Sequence, residues 1–470
     1  MDKRIRRFSR AMMLLFLVAV ATVLPAQPGP GALTLAQVMD TAKAHYPAIR
    51  AAQAQQQAAQ EAVGLAKTAF LPHGDVLWQT NRATANNIYG LLLPQSVVPS
   101  ISGPVIPADN TLSAWSSGAG ALVNWQPFDF GVRSARVDAA RRGNEAATQA
   151  TAVSVLEVTA SAGSAFFDLA AAQQLVGVAQ ANVKRYEAFA RAVHVLVDNQ
   201  LRPGADASQA DAQLAQARNQ LIQAQTQEAV RRAALSEFLG VPSGQISIDA
   251  AAILAGAPAS DLDAKPAASH PSVLEENALS LEQLAQKQVL DRSYVPAFST
   301  LGAVSGRGAG TRLTGNFPGG TAGLAPDTFN WAVGVQVTFS AFDFFGLHQQ
   351  KKIQDAKIEA EHARYDLSLA NVSAAVEQAR ATLAGARQIA ANTPAELAAA
   401  QASEQQQQVR YRSALATVVD VAAAEGLLAQ AEADDAIARL SVWRAELGVA
   451  AAQGDLQPFL QLVNNPAKGK

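Results

Sequence analysis

The chain contains no cysteine among its 470 residues. That removes disulfides, thiolate metal sites, cysteine nucleophiles and an N-terminal lipidated cysteine, so no lipid anchor is expected. Charge is also scarce. Charged residues make up 16% of the chain, against roughly a quarter in ordinary soluble domains. The net charge of −2 lacks the basic excess that a nucleic-acid binder shows. Six histidines lie scattered, with no HExxH and no close pair, and read as surface residues. No P-loop, GxSxG or GxGxxG fingerprint occurs. The sequence therefore offers no catalytic constellation, no metal site and no cofactor site, and an enzyme is not expected. What it has in quantity is apolar residues, at 49%, enough for a large buried core.

The first segment reads as a cleaved secretory signal, residues 1–26. Lys3, Arg4, Arg6, Arg7 and Arg10 form a basic region, and Ala11 to Leu24 is apolar and uncharged. Small residues near positions 21 or 26 suit cleavage. Fourteen apolar residues fall short of the ~20 that span a bilayer as a helix. The segment takes 5 basic and 1 acidic residue from totals of 37 and 39, leaving a net of −6. No other long apolar run stands out, so a membrane location would require a β-barrel.

The chain carries an internal duplication. Phe128-Asp129-Phe130 recurs as Phe342-Asp343-Phe344, an offset of 214. The same offset maps Asp206 onto Asp420, Leu214 onto Leu428, Gln216-Ala217 onto Gln430-Ala431 and Gly240 onto Gly454. Upstream, Phe70-Leu71-Pro72 parallels Tyr294-Val295-Pro296. The copies are expected at 27–249 and 272–460, with an Ala/Pro/Asp-rich linker at 250–271 and a tail at 461–470. Each copy reads as a helix (about Leu35 to Ala69; Ser272 to Arg292), a strand, a loop, a strand and a long helical hairpin.

From Val158 through Ala162, Ala165, Leu169 and onward to Val193 and Val197, apolar residues recur every 3.5 positions, the period of coiled-coil packing. Leu369, Val372, Val376 and Leu383 carry the same seam at +214, and Ala210, Leu214, Ala217 and Leu221 carry it on a return helix. Gly131 to Val197 would make ~100 Å of helix, too long for a globular core. Pro394 should kink the second copy. In contrast, Trp331, Val333, Val335, Val337 and Phe339 alternate with Gly334, Gln336 and Thr338, and Trp115 to Trp125 alternates more weakly. That pattern suits a membrane barrel strand or a soluble sandwich strand equally. The intervening segments, Thr84 to Leu112 and Gly306 to Asp327, read as long loops. Four strands per chain cannot close around a lumen, so a barrel would need several chains; three would supply twelve strands.

The duplication, Phe70-Leu71-Pro72, Phe128-Asp129-Phe130-Gly131, and Arg410-Tyr411 followed by Val419-Asp420-Val421 together resemble the TolC family of outer-membrane efflux and secretion channels. The resemblance implies an α+β membrane protein: a trimeric β-barrel of four strands per chain, continued by a long α-helical coiled-coil barrel through the periplasm. It implies a homotrimer in the outer membrane of a Gram-negative-type bacterium. A periplasmic adaptor and an inner-membrane transporter would dock below it. It also implies an iris at the periplasmic tip. Tyr411 and Asp420 match the tip pattern, and Asp206 is the plausible partner of Tyr411. Ala414 stands where glycine is usual. A second acid falls on Ala423, and the basic residue of the best-known members falls on Ala416. The resemblance thus gives a Tyr411–Asp206 link without an arginine link, and one acidic ring of Asp420 that favours cations and admits divalent blockers. Arg410, Ala414 and Ala416 are the candidate tip and adaptor-contact residues.

Plainer roles are open for the same residues. Asp129 and Asp343 suit N-caps of the long helices, Asp206 and Asp420 suit caps of the return helices, and Tyr411 suits the coiled-coil seam. The functional alternative is a soluble periplasmic adaptor, which would be expected to have one hairpin and no strand pairs.

Overall fold

A computed structural model describes residues 31–84, 113–256, 258, 262, 265–311, 319–340 and 342–464. The expected signal segment, the first strand-connecting loop at 85–112, residues 312–318 of the second and residues 465–470 of the expected tail lie outside the described residues. The elements in order are α1 (Leu35–His45), α2 (Pro47–Thr68), β1 (His73–Thr84), β2 (Ser113–Phe128), α3 (Val132–Asp198) and α4 (Gly204–Leu239). There follow α5 (Pro271–Arg292), β3 (Ala297–Ala309), β4 (Thr328–Thr338), α6 (Phe344–Arg412), α7 (Val418–Ala452) and α8 (Gln457–Asn464). The order helix, strand, strand, long helix, return helix therefore occurs twice.

Two expectations about element bounds need correction. The first helix is not continuous to Ala69: Tyr46 sits between α1 and α2 with φ −65° and ψ 131°. A residue before proline is pushed out of the α region, and Pro47 then opens the next helix at its first position. The segment Gly306 to Ala309 belongs to β3 rather than to a loop, because Arg307 pairs with Thr328 and Gly308 with Ser117.

The coiled-coil seam behaves as its period demands. Val158, Ala162, Leu169, Ala172, Val176, Val183, Tyr186, Ala190 and Val193 are buried, and Ala165, Ala179 and Val197 are half-buried. Helix α3 packs against α4 to form one hairpin and against α7 of the other, while α6 packs against α7. At 67 and 69 residues, α3 and α6 each extend about 100 Å. Helix α6 is not ended at Pro394. Proline removes one backbone donor, and the flanking turns and the buried Thr393, whose hydroxyl donates to Asp435 at 3.3 Å, carry the helix across it. Helix α3 also contains an 18-residue stretch apolar enough to cross a membrane by length and composition, contrary to expectation. Alanine and valine supply that apolarity, and they line packing surfaces against α2, α4, α5 and α7.

Midway along the rod lies the principal core. Phe166, Phe167 and Leu169 of α3 meet Leu35, Val38 and Met39 of α1, Trp443 and Leu447 of α7, and Phe459 of α8. Residues of the 250–271 stretch are tied down here: the Trp443 indole donates to the carbonyls of Ile253 at 3.1 Å and Gly256 at 2.7 Å. His270 is buried rather than on the surface. Its Nδ1 accepts from the Ser272 amide at 3.1 Å, capping α5.

At one end the four strands form one antiparallel sheet in the order β1-β2-β3-β4. The register places Val76, Ala121, Val304 and Trp331 side by side on one face, with Trp78 and Phe329 in the row on one side and Val123 and Val333 in the row on the other. This face is apolar and exposed: Val76 is 89% accessible, Phe329 83%, Trp331 78% and Val335 76%. The opposite face carries Asp75, Gln79, Asn124, Ser305, Arg307, Asn330 and Gln336.

The short motifs meet at the joint between sheet and helices. Asp129 accepts from the Gly131 amide at 3.2 Å, the Arg133 amide at 2.7 Å and Arg133 Nε at 2.8 Å, so it holds the first turn of α3 from two residues before the N-cap position, which Gly131 occupies in place of the expected aspartate. Arg133 lies over the Phe70 ring at 4.8 Å and donates to the Ala69 carbonyl at 3.1 Å. Gly131, at φ 87°, makes the turn that a Cβ would strain. Asp343 differs: it occupies the N-cap position of α6 but in the α region, and its side chain makes no capping bond. Aromatic residues ring this joint, with Phe128, Phe130 and Phe298 in one cluster and Tyr294, Phe339 and Phe344 in another.

Candidate functional site

At the other end the two hairpins turn in the same way. In the first, the amides of Gln200 and Leu201 donate to the carbonyls of Val197 and Leu196. In the second, those of Ala414 and Leu415 donate to Tyr411 and Arg410. Both turns place a non-glycine residue in the left-handed region, Gln200 at φ 61° and Ala414 at φ 58°. This is the conformation in which glycine is usual at helix ends. Ala414 adopts it despite its Cβ. The following Leu201 and Leu415 are exposed at the tips.

Tyr411 joins the two hairpins. It comes from the last turn of α6 and is only 3% exposed, packed with Val193, Ala207, Ala210, Val418 and Val421. Its ring centroid is 5.6 Å from that of Phe189. Its hydroxyl donates to Asp206 Oδ2 at 3.3 Å, across from α6 to the first turn of α4. Burial raises the Tyr411 hydroxyl above its ordinary pKa, and the Asp206 charge adds to this while Arg202 opposes it. The phenol therefore stays a donor at physiological pH. Seam packing and the polar link thus hold for one residue at once.

An arginine link is present after all, from a residue that the tip pattern does not mark. Arg202 Nη2 donates to the Tyr411 carbonyl at 2.5 Å, and its guanidinium lies 4.4 Å over the Tyr411 ring. Arg202 stands 214 residues before Ala416, the offset that also relates the repeated motifs, so of these two matched positions the one on the first hairpin is basic. Ala416 itself is buried in the apolar cluster. Comparing the two copies for unshared charges would have found Arg202.

Asp420 stands apart from this link. It is fully exposed at the third position of α7, and its Oδ2 accepts from the Thr417 amide and hydroxyl at 2.8 Å each. Thr417 Oγ1 accepts in return from the Asp420 amide at 3.3 Å, completing a capping box. The bonds from Thr417 hold the Asp420 carboxyl below the usual aspartate range, with Arg410 nearby contributing. Asp206 is also third in its helix, but the N-cap position there is Pro203 and no side chain caps it. Arg410 is exposed and donates to the Leu415 carbonyl at 3.4 Å, bracing the turn.

Above the tip the hairpins share a second polar contact that seam reasoning passed over. Arg185 of α3 donates to Glu425 Oε2 at 3.0 Å and to Glu432 at 3.0 and 2.9 Å, both on α7. Glu425 has no exposed side-chain surface. Gln408 of α6 donates to Glu425 Oε1 at 3.3 Å. A cavity of about 200 Å³ lies between α3 and α6, lined by Arg185, Phe189, Gln408, Tyr411 and Arg412 among others. It separates this network from the Tyr411 link. Among the described residues no group of three or more His, Asp or Glu side chains is arranged to hold a metal ion.

Residues 38–241 match the family model described as "Outer membrane efflux protein". No curated protein matches the chain by sequence. The fold matches solved structures over nine-tenths of its length. The CmeC outer membrane channel of Campylobacter jejuni is 15% identical, with 93% of this chain and 89% of that one covered at a TM-score of 0.70. VceC, an outer membrane protein of Vibrio cholerae, is 16% identical, with 90% and 96% covered at 0.69. The open-state MtrE outer membrane channel of Neisseria gonorrhoeae is 18% identical, with 90% and 89% covered at 0.69. The resemblance to TolC-like outer-membrane efflux channels is thus shown, by family sequence over residues 38–241 and by fold across most of the chain. These findings support an outer-membrane efflux channel, and the matches are to channel proteins rather than enzymes.

Proposed function

We propose that three copies of this chain close into a twelve-stranded barrel in the outer membrane of a Gram-negative-type bacterium, continued by a twelve-helix tube in the periplasm. The chain would act as the passive exit duct of a tripartite efflux pump or a type I secretion system. The observation that carries this reading is the sheet: one face exposed and apolar, the other polar, with strands β1 and β4 at its two edges. An apolar face is stable against lipid only if every backbone group is paired, so the edges must be joined between chains. The aromatic rings at the joint suit the membrane interface nearer the helices.

In this reading residues 1–26 are a signal removed on export, 27–249 and 272–460 are two copies of one duplicated unit, 250–271 links them and 461–470 is a tail. The absence of cysteine agrees with a duct held by its barrel and not by a lipid. A periplasmic adaptor would engage the tips around Arg410 and Ala414, with Ala416 beneath them in the apolar cluster and not at the contact surface, and an inner-membrane transporter would supply the energy. Asp206 and Tyr411 would hold the aperture closed, and three Asp420 side chains would ring it.

The test is single-channel conductance of detergent-purified protein in a planar bilayer, with the molecular mass of the assembly measured alongside. Discrete cation-preferring steps from a trimer are expected. Protein that stays soluble without detergent and never inserts would overturn the duct and favour a periplasmic adaptor.

A further inference from the structure

Far from the helices, the polar face of the sheet carries one charge in an otherwise neutral setting. Arg307 of β3 stands in the row Gln79, Gly118, Arg307 and Thr328. The next row toward the helices is Leu77, Gly120, Ser305 and Asn330, and the next row away from them is Asn81, Ser116 and Ala309. None of these neighbours is charged. Arg307 is half-buried, and among the described residues its side chain makes no hydrogen bond, ion pair or ring contact. Arg82 differs: it faces the apolar side, lies 5.3 Å over the Trp115 ring and donates to Ser113 at 3.0 Å. Two acids come near Arg307 in the register. Asp327 precedes Thr328, but its carboxylate accepts from the Thr328 hydroxyl at 3.0 Å and makes no ion pair with Arg307. Asp75 shares the polar face and is paired with His73 at 3.4 Å. It stands two strands across and four residues along, roughly 16 Å from Arg307 by strand spacings. That is about twice the ~8 Å screening length at physiological salt, so Asp75 does not cancel the Arg307 charge.

We propose that Arg307 forms an anion-binding ring at the outer mouth of the pore, one guanidinium from each of three chains, which takes multivalent anions. The ring rests on the trimeric barrel reading, in which the polar sheet face lines the lumen, and it is incomplete in a single chain. A guanidinium stays charged at every physiological pH and presents its donors in a fork that fits oxyanions. Three of them in a channel with low-dielectric walls raise the local concentration of anions. Ser305, Thr328 and Asn330 beside each Arg307 add neutral hydroxyl and amide donors, and none of them repels an anion. The ring lies at the opposite end of the duct from Asp420 and has the opposite sign. The tip would then favour cations while the mouth retains anions, and the charge at the exit would be set by Arg307.

Single-channel current of the full-length purified protein in a planar bilayer tests the ring, with inorganic phosphate as the probe. In dilute salt, phosphate should reduce the current of the native channel, and the block should fade as added salt shortens the screening length. Arg307→Gln should weaken the block at least about fivefold, the order expected when a divalent anion loses three unit charges at about 8 Å in screened water. It should also shift the reversal potential in a salt gradient toward cations. Arg307→Lys keeps the charge and should retain more of the block than Arg307→Gln. Arg82→Gln removes a cation from the apolar face and should leave the block unchanged. Native channels that phosphate does not block, block that survives Arg307→Gln, equal loss in Arg307→Lys, or equal loss in Arg82→Gln would each overturn the ring while leaving the duct intact. Protein that forms no channel in any variant would overturn the barrel reading, and the ring with it.

Discussion

Removing the Tyr411 hydroxyl isolates one bond in a packed setting. Tyr411→Phe keeps the ring against Phe189 and under Arg202, and keeps the backbone carbonyl that Arg202 holds. It deletes only the donor to Asp206, at 3.3 Å. Hydrogen bonds to a charged acceptor contribute about 1.5–3 kcal/mol. This one is long and Asp206 is half-buried, so water recovers part of the loss and about 1 kcal/mol is the expected coupling. That is about fivefold in the equilibrium between packed and separated hairpins. The assay is a double-mutant cycle of Tyr411→Phe with Asp206→Ala, read from single-channel open probability or from antibiotic leakage into cells. Each single variant should open the aperture, and the double should be no worse than the more open single. Effects that simply add, within about 0.5 kcal/mol, would refute a direct link and leave Tyr411 as a seam residue alone.

Asp420→Ala should raise conductance and weaken divalent block, since it deletes the exposed carboxylate at the tip; unchanged current and block would leave Asp420 as a helix cap. Because the Thr417 bonds hold that carboxyl low, its charge is lost only as pH falls through a value below 3.8, so divalent block should persist to lower pH than a free aspartate allows. Trp331→Lys places a charge on the apolar sheet face and should cost about 2–4 kcal/mol of insertion, whereas Gln336→Lys on the other face should be tolerated. Membrane fractionation of the two variants checks this; equal insertion would sink the assignment of faces. Trp443→Ala removes a 1%-exposed ring and the donor to Ile253 and Gly256, and should lose about 3–5 kcal/mol, seen as a lower melting temperature in detergent.

Much of the architecture was legible in one chain of letters because it is periodic. A 3.5-residue repeat from Val158 to Val197 can be satisfied only by a helix packed along its length, and the burial of α3 follows it residue by residue. Alternation from Trp331 to Phe339 can only present one face of a strand. The offset of 214 carried the tip pattern from one hairpin to the other, and located Asp206 and Asp420 near the turns that α4 and α7 leave.

Tertiary structure decided which of those residues meet. Spacing put Asp206 and Asp420 in equivalent places, yet the fold sets Asp206 against Tyr411 and leaves Asp420 in water with Thr417, because the hairpins pack on different neighbours. The break at Tyr46 is local steric chemistry that could have been read from Pro47. Arg202 over Tyr411 and Arg185 between Glu425 and Glu432 are contacts across more than 200 residues, between positions where the two copies differ. A repeat reveals what its copies share. Where they differ, the partner is chosen by which helices lie side by side, and that is a property of the packed chain.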